Sequence, residues 1–189
     1  MRKYIRFSSM AAVSAIAAVG MCFVTPTRAA DDMKNDSKMD SKMNSSTGSK
    51  LSANDKKFVK KAYKGGMEEV ANAKMAKDKA KEDATKEVAD RMITDHTNAD
   101  EKLMDIAKEE NLDLSKVHAK PADISSDNFD KEYLTMLKKD HEKDIAMFEK
   151  EANDTGAKED SDVKKFAKDT VPTLKEHLQM VEDALAKMK

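Results

Sequence analysis

The sequence predicts an all-α protein, a ferritin-like four-helix bundle with one long crossover between helices two and three. Three observations carry that expectation. From Leu51 onward alanine, lysine, glutamate and methionine dominate, and strand-like alternation is absent. Apolar residues there recur at three- and four-residue steps, which gives each segment one apolar face. The spacers between segments are short, except for "NLDLSKVHAKPADISS" at residues 111–126.

The first element is an address rather than structure. Arg2, Lys3 and Arg6 precede the small-residue apolar run "FSSMAAVSAIAAVGMCFV", and "TPTRAA" supplies a cleavage point after Ala29. Residues 1–29 therefore read as a signal peptide, and the mature chain as exported, most simply to the periplasm. An uncleaved anchor is the competing reading, because the run approaches spanning length. Met21 before Cys22 does not suit a lipoprotein. Loss of Arg2, Lys3, Arg6 and Arg28 takes the formal charge from −1 to −5. That balance argues against nucleic acid or an anionic membrane surface as partner. Cys22, the single cysteine, leaves with the leader, so no disulfide, thiolate nucleophile or Cys-type zinc site follows.

Residues 30–50 form a polar linker with a near repeat of Asp-Ser-Lys-Met and nothing with which to build a core. The expectation is disorder. Met33, Met39 and Met43 are soft enough to bind Cu(I), although methionines in a tether are commonly incidental.

Residues 51–189 then supply the domain. "SAND" at Ser52–Asp55 resembles a capping box with Asp in place of Glu, opening a helix that runs to about Lys81. Its inward face holds Phe58, Ala62, Gly66, Glu69, Ala73 and Ala76. The second helix, about Ala84 to Glu110, turns Val88, Met92, His96, Ala99, Leu103 and Ile106 inward. The third spans about Asp127 to Asn153, with Leu134, Leu137, His141, Ile145 and Phe148 on one face. The fourth starts near Ser161 and buries Phe166, Leu174, His177, Val181 and Leu185. A helix of about 27 residues is roughly 40 Å long. About 16 extended residues reach roughly 50 Å. The long spacer can therefore travel the length of the bundle, which would make helices two and three parallel.

Glu69, His96, His141 and His177 each fall near the middle of a helix, on its apolar face. Antiparallel hairpins bring them to one height. Imidazole and carboxylate suit Fe, Mn or Zn, and burying such groups unpaired is costly. The set is a candidate site for one transition metal; the alternative is a hydrogen-bonded polar layer. Asp95, Asp140 and Glu176 precede the histidines and point about 100° away from them, as solvated charge or as partners for a neighbouring helix's imidazole. Asp100 and Asp144 stand a turn beyond His96 and His141, and of these Asp144 is near enough to its histidine's face to be an outer candidate ligand. His118 falls in the long spacer. Gly65 and Gly66 break helix propensity one turn before Glu69, and Pro172 should kink helix four.

The segments "FVKKAYKGGMEEVANAKMA", "VADRMITDHTNADEKL", "FDKEYLTMLKKDHEKDIAMFEKEA" and "FAKDTVPTLKEHLQM" together resemble the bacterial family of unknown function DUF4142 over about residues 54–188. The resemblance implies a ferritin-like fold and an exported or outer-membrane setting, with no established activity. Its pattern corresponds here to Gly65–Glu69, Asp95–His96, Asp140–His141 and Glu176–His177. Di-iron bundles carry Glu-x-x-His on two helices. Ile93 and Leu174 occupy the positions three before His96 and His177, so a mononuclear centre is the form expected. Haem held by two histidines also stays open, since the absence of Cys-x-x-Cys-His excludes only covalent attachment. Nothing indicates a Ser/His/Asp triad or a phosphate loop. The readings left are a metal-binding bundle for metal handling or oxidative stress, and a non-enzymatic envelope protein with a structural polar layer.

Overall fold

The computed structural model of the chain describes residues 51–124, 127–155 and 161–188. The leader and linker expected before residue 51 lie outside the described residues. Among those described, the chain forms α1 (Ala53–Lys79), α2 (Asp83–Glu109), α3 (Phe129–Ala152) and α4 (Asp162–Lys187), and no strand. None of these helices is long and apolar enough to cross a membrane.

Side chains set the helix ends. Ser52 Oγ accepts the Asp55 N–H at 3.1 Å, while Asp55 Oδ2 accepts the Ser52 N–H at 2.9 Å, a full capping box at the start of α1. α1 stops at Lys79, two residues before the expected end. The reason is tertiary: the N–H groups of Lys81 and Glu82 donate to the Asp130 carboxylate at 3.0–3.2 Å. α2 ends in a Schellman motif. Asn111 takes φ 53°, its N–H donates to Lys108 O at 3.2 Å, and the Leu112 N–H donates to Ala107 O at 2.7 Å. Ser161 caps α4 by accepting the Lys164 N–H at 3.2 Å. α4 continues as helix through Pro172, which lies exposed.

Asp130 also reports the topology. It belongs to the first turn of α3, yet it binds the turn joining α1 to α2. The head of α3 therefore sits beside the head of α2, and the two helices run parallel. The connection between them travels along α1, donating from Lys120 N–H to Glu68 Oε1 at 3.0 Å and from Ala122 N–H to Asn72 Oδ1 at 2.8 Å. The registers match. Four helical residues rise about 6 Å, and two extended residues advance about 6.6 Å. This is the single crossover anticipated from the spacer length. α1 packs mainly on α2 and α3 on α4, and the two hairpins join through α2–α4 and α1–α3.

The apolar core comes in two pieces. One, toward the α1–α2 turn, gathers Val88, Met92, Leu134, Leu137 and Val181 around Ala73 and Ala76. The other gathers Phe58, Val59, Leu103, Phe148, Phe166 and Leu174. Polar side chains occupy the level between them. Ala99, Ile145 and Leu185, expected inward, are only half-buried at the edges of these clusters.

Asp130 offers a direct test of the crossover. Burial would raise its carboxyl, but the Glu82 and Lys81 N–H groups outweigh that and hold it below its ordinary value of 3.8. A depressed carboxyl adds stability above its unfolded pKa and loses it as pH falls through the folded one. Asp130→Ala should cost about 1–3 kcal/mol at pH 7 in a urea melt. The gap to wild type should narrow below about pH 4.

Candidate metal centre

Helix register builds the site. Glu69 stands on α1, His96 on α2, His141 on α3 and His177 on α4, each near mid-helix, with exposures of 5, 7, 0 and 1%. The structure brings all four together. One nitrogen from each of His96, His141 and His177 lies within 4.8 Å of the other two, a spacing suited to a shared metal ion. The three rings form a mutual cluster with centroids 5.2–5.6 Å apart.

Hydrogen bonds assign the tautomers. His141 Nδ1 lies 3.1 Å from Leu137 O, a backbone carbonyl that can only accept, so this nitrogen carries a proton. His177 Nε2 lies 2.8 Å from Asp95 Oδ2 and donates to that carboxylate. With both rings neutral, the remaining nitrogens, His141 Nε2 and His177 Nδ1, have only lone pairs. Yet they face each other at 3.1 Å. Two lone pairs at that distance repel unless a proton or a cation stands with them.

Electrostatics bears on which. Burial, together with the neighbouring imidazoles, lowers the pKa of His177 to about 4. Burial also lowers His141, despite Glu69 nearby. An extra proton on this pair is therefore disfavoured at neutral pH. His96 differs, because Glu69 more than offsets its burial and raises it, aided by Asp144 and Asp100. Glu69 Oε2 is 2.9 Å from His96 Nδ1, and Oε1 is 3.2 Å from His141 Nδ1. Both contacts have ion-pair length without hydrogen-bond alignment, and both carboxylate oxygens are buried without an aligned donor. Burial pushes the Glu69 carboxyl up, but the His96, His141 and His177 rings outweigh it and hold it low. His96 Nε2 is buried and has no hydrogen-bond partner among the described residues.

The donor set fits a metal. The nitrogens turned outward meet an acceptor each: Leu137 O for His141, Asp95 for His177, and Glu69 beside His96. Metal-bound imidazoles are oriented in this way. Glu69 thus approaches the layer beside the Nδ1 atoms of His96 and His141.

The carboxylates flagged beside the histidines separate into two kinds. Asp95 reaches from α2 to His177 on α4, is held by Arg91, and stays below its ordinary range because these partners outweigh its burial. Asp140 pairs with Lys143 at 3.0 Å, and Glu176 is exposed, 3.7 Å from Arg91 Nη2. Neither makes a hydrogen bond to an imidazole among the described residues. Asp100 and Asp144 instead face the layer. Burial, reinforced by Glu69, lifts both to about 7. They line a cavity of about 30 Å³ with Gly66, Glu69, His96 and His177. His118 lies exposed on the crossover.

The fold and site define a class: an all-α four-helix bundle with a buried three-histidine cluster at mid-height. The chain belongs to the DUF4142 family, a domain of unknown function whose model matches residues 40–184. No curated protein matches it. A solved structure described as a crystal structure of a DUF305 fragment from Deinococcus radiodurans is similar in fold, with a TM-score of 0.60 at 10% identity. The match covers 74% of this chain and 99% of that one.

The glycine pair yields a contrast. A Cβ at Gly65 meets nothing within 4 Å, whereas one at Gly66 would stand 2.2 Å from Asp100 Oδ1. Gly65→Ala should stabilise the protein by about 0.5–1 kcal/mol through helix propensity. Gly66→Ala should lose that gain and more, because Asp100 must leave its place. Paired thermal melts would show it.

Proposed function

We propose that this protein is an exported bundle that binds one transition metal through His96, His141 and His177. Glu69 and Asp95 orient the imidazoles in that assignment. The observation that supports it best is the facing pair His141 Nε2 and His177 Nδ1, 3.1 Å apart with their other nitrogens already committed as donors. Bonds of about 2.0–2.1 Å from both nitrogens to one ion fit that separation. Iron, manganese and zinc suit the mixture of imidazole and carboxylate. A bound metal would supply either a store of that ion or a centre open to peroxide, which places the role in metal handling or oxidative stress.

The small cavity favours binding over turnover of a large substrate, since about 30 Å³ holds roughly two water molecules. Export rests on the basic, apolar and small-residue start of the chain. The hydrogen-bonded chain from Asp95 through His177 to His141 supports one competing reading, a structural polar layer closed by a shared proton.

Metal analysis of untagged protein separates the two. The metal reading expects about one ion per chain. Zinc at 100 times its Kd should add about 2.7 kcal/mol of stability to wild type and little to His141→Ala. Asp95→Ala, altering a partly buried residue, should weaken affinity about 10- to 100-fold while the helical spectrum persists. No metal and no zinc-dependent shift would leave the polar layer.

A further inference from the structure

Residues 56–67 hold five lysines and no acid. On a helix Lys56, Lys57, Lys60, Lys61 and Lys64 fall within one arc of about 140°. That arc lies opposite the buried Phe58, Val59, Ala62 and Glu69, so it takes no part in the histidine layer. All five lysines are exposed except Lys56, which is half-buried. The crossover brings Lys116, Val117 and His118 alongside, leaving an open groove of about 650 Å³ in which every charged wall residue is basic.

This pattern runs against helix electrostatics. Elsewhere the helices set opposite charges four residues apart, as in Arg91–Asp95, Lys138–Glu142 and Lys165–Asp169. Here Lys56 and Lys60, Lys57 and Lys61, and Lys60 and Lys64 repeat the same charge at that step, which destabilises a helix. They also crowd the N-terminal turns of α1, where the helix dipole disfavours cations. Lys64 closes the run by pairing with Glu68 at 2.6 Å. Lys56, Lys57, Lys60, Lys61 and Lys116 form no salt bridge among the described residues. Asp113, which stands near Lys60 and Lys116, accepts the Ser115 N–H at 2.8 Å instead. A face that only met solvent would interleave its charges as the other helices do. Local rules broken together mark a functional surface.

We propose that this lysine face, on α1 and the crossover, docks the protein on an anionic phospholipid surface. The lysines themselves choose the partner. No arginine, tyrosine or tryptophan lines the groove. Protein interfaces favour those residues and are poor in lysine, and two-pronged capture of a single phosphate uses arginine. Lysines are hydrated point charges on flexible stems, suited to a diffuse field of many phosphates. Clusters of about four to eight basic residues on a helix bind anionic membranes in this way. The formal charge of −1 for the whole chain argues against such a surface only where charge is evenly spread. Here placement supplies the attraction.

The test is co-sedimentation of the full chain with vesicles of phosphatidylcholine, alone or mixed with phosphatidylglycerol. Wild type should prefer the mixed vesicles and should lose them as salt shortens the screening length from about 10 Å at 0.1 M to about 3 Å at 1 M. Each lysine near an anionic surface contributes about fivefold in partitioning, so Lys57→Gln/Lys60→Gln/Lys61→Gln should bind about 100-fold more weakly. Lys131→Gln/Lys139→Gln/Lys168→Gln makes the same change in net charge at other exposed positions and should bind like wild type. All three proteins share residues 1–50, whose contribution cancels in the comparison. On mixed vesicles Lys57, Lys60 and Lys61 of wild type should resist acetylation while Lys131 does not. Equal weakening by both triple variants would overturn the face in favour of net charge. No preference for mixed vesicles, or no loss in the Lys57/Lys60/Lys61 variant, would overturn it as well. Binding to soluble polyglutamate without binding to mixed vesicles would give the face to an acidic protein and overturn the lipid assignment. Should the variant fail to fold, the wild-type acetylation pattern decides, protected on α1 for the proposal and uniform against it.

Discussion

The structure turns on one contact, His141 Nε2 against His177 Nδ1 at 3.1 Å in the middle of the bundle. Neither nitrogen has a proton to spare once Leu137 O and Asp95 have taken theirs. Apolar clusters lie on either side of this contact, and both rings are buried. Leaving a buried polar group without its partner costs about 1–3 kcal/mol. The surrounding fold holds the groups of this layer at one height. The Asp130 clamp and the Ser52 capping box fix the helix ends, and helix ends set the register that brings four mid-helix residues level.

The crossover does more than connect. In an up-down-up-down bundle, α2 and α3 would be antiparallel, and residues one turn past His96 and His141 would lie on opposite sides of the layer. Parallel helices place Asp100 and Asp144 together instead. The same connection, hydrogen-bonded along α1 at Glu68 and Asn72, covers the helix face next to Glu69. Topology thereby creates both the histidine level and the acidic level beside it.

Much of this was legible in the sequence because it depends on counting along helices. Glu69, His96, His141 and His177 are level by arithmetic once the two hairpins are short, and the long spacer needs only its length to suggest a crossover. Contacts between elements distant in sequence were less legible. Asp130, Asn72, Tyr133 and Thr85 are buried polar residues whose places follow from tertiary approach rather than local periodicity. The end of α1 moved for that reason. Asp100 and Asp144 carried a signal, standing one turn from a histidine on the same face, but only parallel helices reveal that they converge. Gly66 was readable as room for something. That the room belongs to Asp100 required the neighbouring helix.

Nitrogen-15 correlation spectroscopy of the imidazoles at pH 7, with and without zinc, examines the central contact most directly. The account predicts protonated His141 Nδ1 and His177 Nε2 throughout, with the His141 Nε2 and His177 Nδ1 resonances moving together when one equivalent of zinc is added. A ring of His141 or His177 protonated on both nitrogens, unchanged by zinc, would contradict it.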